Sequence, residues 1–193
     1  AANVAAIVEG RPELMCKGIE DAADIDALLT RATVIAVGPG LGQDDWAQQI
    51  FQRVLAADKP LVIDADALQP EIVAAGNAPR VLTPHAGEWA RIVGVTLPSA
   101  TVVRKGPVTR IESGSGNGPS YHSFFGGPVL ARGGSGDVLA GLIGGLLAQT
   151  PAESELAAAR GVLWHGLAAD ALARSHGQVA VTTTQVLDFL PQV

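Results

Sequence analysis

Four short apolar runs, each stopped by a cluster of glycine, acidic, histidine or lysine residues, constrain this chain more than any other feature. Ala32 to Val37 runs into Gly38-Pro39-Gly40-Leu41-Gly42, and Leu61 to Ile63 into Asp64-Ala65-Asp66-Ala67-Leu68. Val81-Leu82 runs into Thr83-Pro84-His85, and Thr101 to Val103 into Lys105-Gly106. Runs of this length and apolarity read as buried strands. Helical spacing separates them. Asp44 suits the cap of one helix, on which Trp46, Ile50, Phe51, Val54 and Leu55 share a face. Pro70 to Ala75 and Trp89 to Val93 mark two more. The alternation predicts an α/β layered fold with a mostly parallel sheet. In such sheets ligands bind outside the carboxyl ends of the strands, so the four clusters describe one cleft.

The second half turns on Leu130 to Gly141. Gly133, Gly134 and Gly136 remove side chains, so backbone N–H groups around Ser135 can face one point. The apolar helix that follows adds its unpaired first N–H groups and the positive end of its dipole. That is a phosphate-sized anion site. Asp137 falls in the first turn and has two readings. It caps its own helix, or it takes a proton from a hydroxyl being phosphorylated next to the anion site.

The remaining stretches are less informative. Ala1 to Ala23 is weakly patterned, with a turn at Gly10-Arg11-Pro12-Glu13, and Asp24 to Leu29 reads as a short helix. Glu112 to Gly127, rich in Gly and Ser around Tyr121, Phe124 and Phe125, is either a surface hairpin or a lid over the cleft. Pro151 to Arg174 is helical with a stripe of Trp164, Leu167, Ala168, Ala171 and Leu172. His165 lies near that stripe and reads as structural. Thr183 or Thr184 caps a last helix ending near Leu190.

Length and composition bound the function. A chain of 193 residues without repeats or an internal linker predicts one domain over residues 1–193. A net charge of −6 argues against nucleic acid and membrane surfaces as partners. Val138 to Ala148 is too short and glycine-rich to span a membrane. One cysteine, Cys16, allows no internal disulfide, and no signal-peptide pattern opens the chain. Both features point to the cytoplasm.

Several candidates keep two readings. Gly38 to Gly42 is a tight turn or a second place of close backbone approach to a ligand; it has neither GxGxxG spacing nor a P-loop Lys. Asp64 and Asp66, two apart at a strand end, share a face and either hold a hydrated Mg²⁺ or are polar turn residues that satisfy backbone N–H groups. His85 bonds a ligand amide or phosphate, or is a solvated loop residue. Glu88 belongs to a helix start. Lys105 is a phosphate-binding cation or a solvated turn residue.

In order and content these motifs resemble the ADP-dependent NAD(P)H-hydrate dehydratase family, a branch of the ribokinase-like superfamily. The matching elements are Gly38-Pro39-Gly40-Leu41-Gly42, Asp64 to Leu68, Thr83-Pro84-His85-Ala86-Gly87-Glu88, Lys105-Gly106 with Thr109, Gly133 to Gly141, and Trp164-His165-Gly166. The resemblance covers most of the chain. It implies a three-layer α/β/α fold and a repair reaction. ADP, or ATP in some lineages, phosphorylates the hydroxyl of hydrated NADH or NADPH, phosphate leaves, and AMP and phosphate are by-products. It implies Asp137 as the catalytic base or orienting acid at that hydroxyl. Gly40, His85 and Asp137 would bind the hydrated dinucleotide. Lys105, Gly106, Pro107, Val108 and Thr109 would contact AMP. Gly133, Gly134, Ser135 and Gly136 would hold phosphate, with Mg²⁺ screening the charge and a homo-oligomer as the assembly.

Three departures qualify it. Similar proteins begin with a strand and helix ahead of the position of Ala1, so a sheet shortened at that end is expected. Gly94 leads to Thr101 with few residues, which leaves the pairing of the fourth strand open between parallel and antiparallel. Pro107-Val108 replaces Ala-Gly, and Gly127-Pro128 replaces Asn-Pro. The alternatives to a dehydratase are a ribokinase-like kinase of a vitamin precursor and a nucleotide-binding module without turnover.

Overall fold

A computed structural model describes residues 4–97 and 99–193. Six strands form one sheet in sequential order: β1 (Ile35–Val37), β2 (Leu61–Ile63), β3 (Arg80–Leu82), β4 (Ala100–Arg104), β5 (Thr109–Ser113) and β6 (Ser120–Ser123). β1 to β4 are parallel, and β4, β5 and β6 pair antiparallel. The helices are α1 (Val4–Gly10), α2 (Asp26–Arg31), α3 (Asp45–Ala56), α4 (Pro70–Val73), α5 (Ala86–Ile92), α6 (Ser135–Gln149), α7 (Ser154–His176) and α8 (Thr183–Phe189).

β2, β3 and β4 are buried on both faces because their apolar runs alternate between two cores. Leu61, Ile63, Leu82 and Val102 pack with Ile50, Phe51 and Val54 of α3, Ile72 of α4 and Ile92 of α5. Their neighbours Val62, Val81 and Val103 point the other way, against Leu139, Ile143 and Leu147 of α6 and Ala158 and Val162 of α7. α3, α4 and α5, each lying between two parallel strands in sequence, pack in one core on the same face. The C-terminal helices cover the other, which completes the three layers. A third cluster, with Leu172, Val181 and Val186, fastens α8 to α7.

Local signals account for the boundaries. Asp44 caps α3 by accepting from the Ala47 N–H at 2.8 Å. A capping box at Thr182 and Gln185 starts α8, one residue ahead of the expected Thr183. β3 and β4 are parallel despite the short Gly94 to Thr101 link. Their crossover is residues 83–99 and includes α5, so it has the dozen or so residues that a parallel return needs. The Glu112 to Gly127 stretch is a hairpin that extends the sheet edge, and of it only Phe125 and Gly127 reach the cavity described below. α1 was not apparent in the sequence, and β1 is shorter than the Ala32 to Val37 run.

The buried face of α7 differs from the expected stripe. Ala158, Gly161, Val162, His165, Ala168, Ala169 and Leu172 are inside. Trp164 is only half-buried, and its indole N–H donates to the Leu190 carbonyl at 2.8 Å, so it anchors the C-terminal segment. The rotation follows from close helix contact. A Cβ on Gly161 would lie 2.6 Å from Ile143 Cγ1 and 3.4 Å from its Cα. The absent side chain lets α7 sit directly on α6.

Gly161→Ala is therefore expected to cost about 1–3 kcal/mol in a urea unfolding titration. Gly145→Ala, on the open side of α6 where an added Cβ meets nothing within 4 Å, should stabilise by about 0.5–1 kcal/mol.

Candidate functional site

Three strand ends converge on one charged network. Asp64, just past β2, is 2 % exposed and accepts from Lys105 Nζ at 2.8 Å. Glu88 Oε2 lies 3.9 Å from the same ammonium. Lys105 reaches them because β4 ends beside β3, where its backbone N–H donates to the Pro84 carbonyl at 2.8 Å. His85 is the cap of α5 rather than a loose loop residue. Its Nδ1 accepts from the Gly87 and Glu88 N–H groups, and Glu88 Oε2 in turn accepts from the His85 N–H at 2.7 Å. The imidazole stays largely exposed, with Nε2 3.3 Å from Glu88 Oε1.

Gly38 closes this network from the β1 side. A Cβ there would fall 1.8 Å from the Asp64 carbonyl oxygen, and its φ of +126° suits glycine alone. Asp64 and Asp66 do not share a face. Ala65 takes φ +48° and opens a 3-10 turn, so the strand has ended before Asp66. Asp66 Oδ2 accepts from the Gly42 N–H at 2.9 Å and ties the Gly38 to Gly42 loop down. The paired-aspartate arrangement for Mg²⁺ is thereby lost, and no cluster of three ligating side chains stands among the described residues.

The start of α6 faces the network. Gly134, at φ +81°, is its cap and offers no side chain. The Ser135 N–H donates to the Arg132 carbonyl and the Val138 N–H to the Gly134 carbonyl. The N–H groups of Gly136 and Asp137 have no acceptor among the described residues. A Cβ on Gly136 would lie 3.1 Å from Lys105 Nζ and 3.5 Å from Asp64 Oδ2, so the first turn stands directly against the ion pair. Asp137 is exposed and makes no cap bond, which removes its capping reading.

Between these parts lies a cavity of about 600 Å³. Its polar wall is His85, Lys105, Gly106, Thr109, Ser135 and Gly136. Its apolar wall is Phe125, Pro128, Leu130, Leu139 and Val162, and Pro107 and His165 also line it. Val108 lines an adjoining hollow with Trp89 and Arg104. Gly40, Gly133, Gly134 and Asp137 are not in the cavity wall. Asp137 instead borders a shallow groove on the outer side of α6, with Leu142, Leu146 and Trp164. The Gly133 carbonyl accepts from the Thr183 hydroxyl at 2.8 Å, which fastens the glycine turn to α8.

His165 is the lining residue that the sequence put among structural ones. It is 3 % exposed and its Nε2 has no hydrogen-bond partner among the described residues. Burial lowers its pKa to about 4, so the imidazole is neutral at physiological pH. The loop before α6 packs on the next residue. A Cβ on Gly166 would meet Phe125 Cβ at 2.6 Å, and the Gly126 N–H donates to Asp170 Oδ1 at 2.9 Å.

The NAD(P)H-hydrate dehydratase family model matches residues 1–192. The chain belongs to that family. It is 38 % identical over 205 aligned positions to the bifunctional NAD(P)H-hydrate repair enzyme of Coxiella burnetii, covering 95 % of this chain and 41 % of that protein. It is 34 % identical to the ADP-dependent (S)-NAD(P)H-hydrate dehydratase of Listeria monocytogenes, covering 93 % of this chain and 69 % of that protein. Thus the chain spans about two fifths of the length of the bifunctional relatives. Among solved structures, a ribokinase-like superfamily protein of Enterococcus faecalis superposes with a TM-score of 0.83 at 31 % identity, covering 98 % of this chain and 72 % of that one. The ADP/ATP-dependent NAD(P)H-hydrate dehydratase of Bacillus subtilis, co-crystallised with ATP and Mg²⁺, gives 0.79 at 29 % identity, covering 98 % and 74 %. The ribokinase-like three-layer architecture is that of the family.

The His165 pKa fixes a pH response. Its folded value, about 4, lies below the ordinary 6.5, so the unfolded chain takes up the proton first as pH falls. The contribution is intact above about 6.5 and is lost progressively down to about 4, by up to about 3 kcal/mol. Denaturant titrations at pH 7.5 and pH 4.5 are expected to show this loss, and His165→Leu should make the difference between the two smaller.

Proposed function

We propose that this domain carries out ADP-dependent dehydration of hydrated NADH or NADPH. The observation that carries the reading is the Lys105 ammonium held against the unpartnered N–H groups at the start of α6. A diphosphate needs both a placed cation and a dipole end, and here they share one wall of a nucleotide-sized cavity. ATP is the alternative phosphoryl donor.

In this mechanism Lys105, Gly106, Pro107 and Thr109 line the nucleotide side, with Val108 at its rim. Gly133 to Gly136 form the turn that delivers the α6 amides to the transferring phosphoryl group. Those amides and Lys105 offset the charge that spreads over its oxygens. The hydrated dinucleotide would meet Asp137 at the α6 start, with Gly40 and His85 as further contacts. Asp137 takes the proton of the ring hydroxyl as that oxygen attacks the β-phosphorus of ADP and AMP leaves. The new phosphate ester then departs as inorganic phosphate, and loss of a ring proton restores the dihydronicotinamide. Mg²⁺ would screen phosphate charge as a largely hydrated ion held by the nucleotide's own phosphates; Asp64 and Glu88 are committed to Lys105 and do not line the cavity, so neither is its ligand. Cytoplasmic residence and a homo-oligomeric assembly belong to the same proposal.

The test is recovery of NADH absorbance from a verified hydrate stock with ADP, together with AMP release. Asp137→Asn, nearly isosteric and exposed, should keep the fold and lower turnover by about 100-fold or more. A phosphorylated product without AMP would indicate a kinase. ADP binding without any turnover, unchanged by Asp137→Asn, would indicate a binding module.

A further inference from the structure

A buried imidazole without a partner calls for a reason, because native interiors pair nearly all their polar groups. His165 lies on the face of α7 that packs inward, where its neighbours Val162 and Ala169 are apolar. A leucine of similar bulk would fill the same space without burying an unpaired nitrogen. No hydrogen bond to His165 Nε2 among the described residues gives it a structural task, as the Trp164 and Asp170 bonds do for their residues. It does line the cavity, whose lining also includes Leu139, Val162, Leu130 and Phe125. The charged part of the lining comes from Lys105 and the first turn of α6, the helix that also supplies Leu139.

The two walls ask for different chemistry. One suits a polyanion. The other suits a flat, largely apolar group that carries a hydrogen-bonding edge, with one neutral polar side chain to meet it. We infer that His165 is the residue by which this cavity recognises the base of its nucleotide: the imidazole exchanges a hydrogen bond with the edge of the purine, while the aliphatic side chains and Phe125 pack against the ring. The inference rests on the nucleotide reading of the cavity and adds a specificity residue to it. A site built to hydrogen-bond one group discriminates because the wrong ligand leaves the buried partner unpaired. The same arrangement explains why the helix tolerates an imidazole at this place.

Calorimetric titration of the full chain with ADP, inosine diphosphate and pyrophosphate tests it, in the native protein, His165→Leu and His165→Gln. His165→Leu is expected to bind ADP about 10-fold or more weakly, to lose the preference between ADP and inosine diphosphate, and to bind pyrophosphate as the native protein does. His165→Gln, which keeps a polar end, should recover part of the ADP affinity. Thermal unfolding at pH 7.5 accompanies the titrations, with a midpoint for His165→Leu equal to or above the native one. Unchanged ADP affinity in His165→Leu overturns the inference. So does an equal loss for ADP and pyrophosphate in both variants, which would mark a structural role. A native protein that binds pyrophosphate but ADP no more tightly overturns the inference alone. A native protein that binds neither overturns the nucleotide reading beneath it.

Discussion

The contact between Lys105 and Asp64 holds the working end of the sheet together. It joins the ends of β4 and β2 across the intervening end of β3, where Glu88 stands 3.9 Å from the same ammonium. Asp64 is almost fully buried, so the carboxylate has given up its water and needs the lysine. Such pairs add little net stability, since desolvation offsets the attraction. What this one supplies is position. An unpaired Lys105 would extend toward solvent on a flexible four-carbon stem. Paired, it stands close to the α6 start, where a Cβ on Gly136 would already crowd it. The glycines at 38 and 136 are the counterpart of that placement. One lets the β1 loop touch the Asp64 backbone, and the other leaves room for the ammonium.

The layered fold was legible because it rests on local patterns that tertiary packing does not override. The apolar runs at Leu61 to Ile63 and Val81-Leu82 are buried strands, and the α3 face with Ile50, Phe51 and Val54 is inside. The doubt about β4 came from measuring its link from Gly94. The return to a parallel strand begins at Thr83, and α5 lies within it. The bare turn before α6 was also legible, since three glycines in four residues leave no side chain to cap it. What the spacing did not carry was direction. Asp64 and Asp66 read as one pair until Ala65, at φ +48°, turned the chain between them. The α7 stripe was displaced for a similar reason. Gly161 lets α7 settle onto Ile143, and that settling brings Val162 and His165 inward while Trp164 turns to the C-terminal segment. A glycine's close approach depends on a residue far away in sequence, so periodicity alone does not register it.

The separation of Asp137 from the cavity is informative. Successive residues of a helix point about 100° apart, so Ser135 and Gly136 can face the ion pair while Asp137 faces the outer groove. The amides of Gly136 and Asp137 nevertheless belong to the same first turn. On the proposed reading, an anion on the inner side and a hydroxyl on the outer side meet at one helix end, approaching from different directions. Each side then has its own wall. The inner one is dominated by Lys105, and the outer one by an acid with no cation bonded to it. An acid placed among the phosphate ligands would repel the nucleotide. Set on the adjoining face of the same turn, it stays free to accept a proton while the helix end still draws the phosphoryl group toward it.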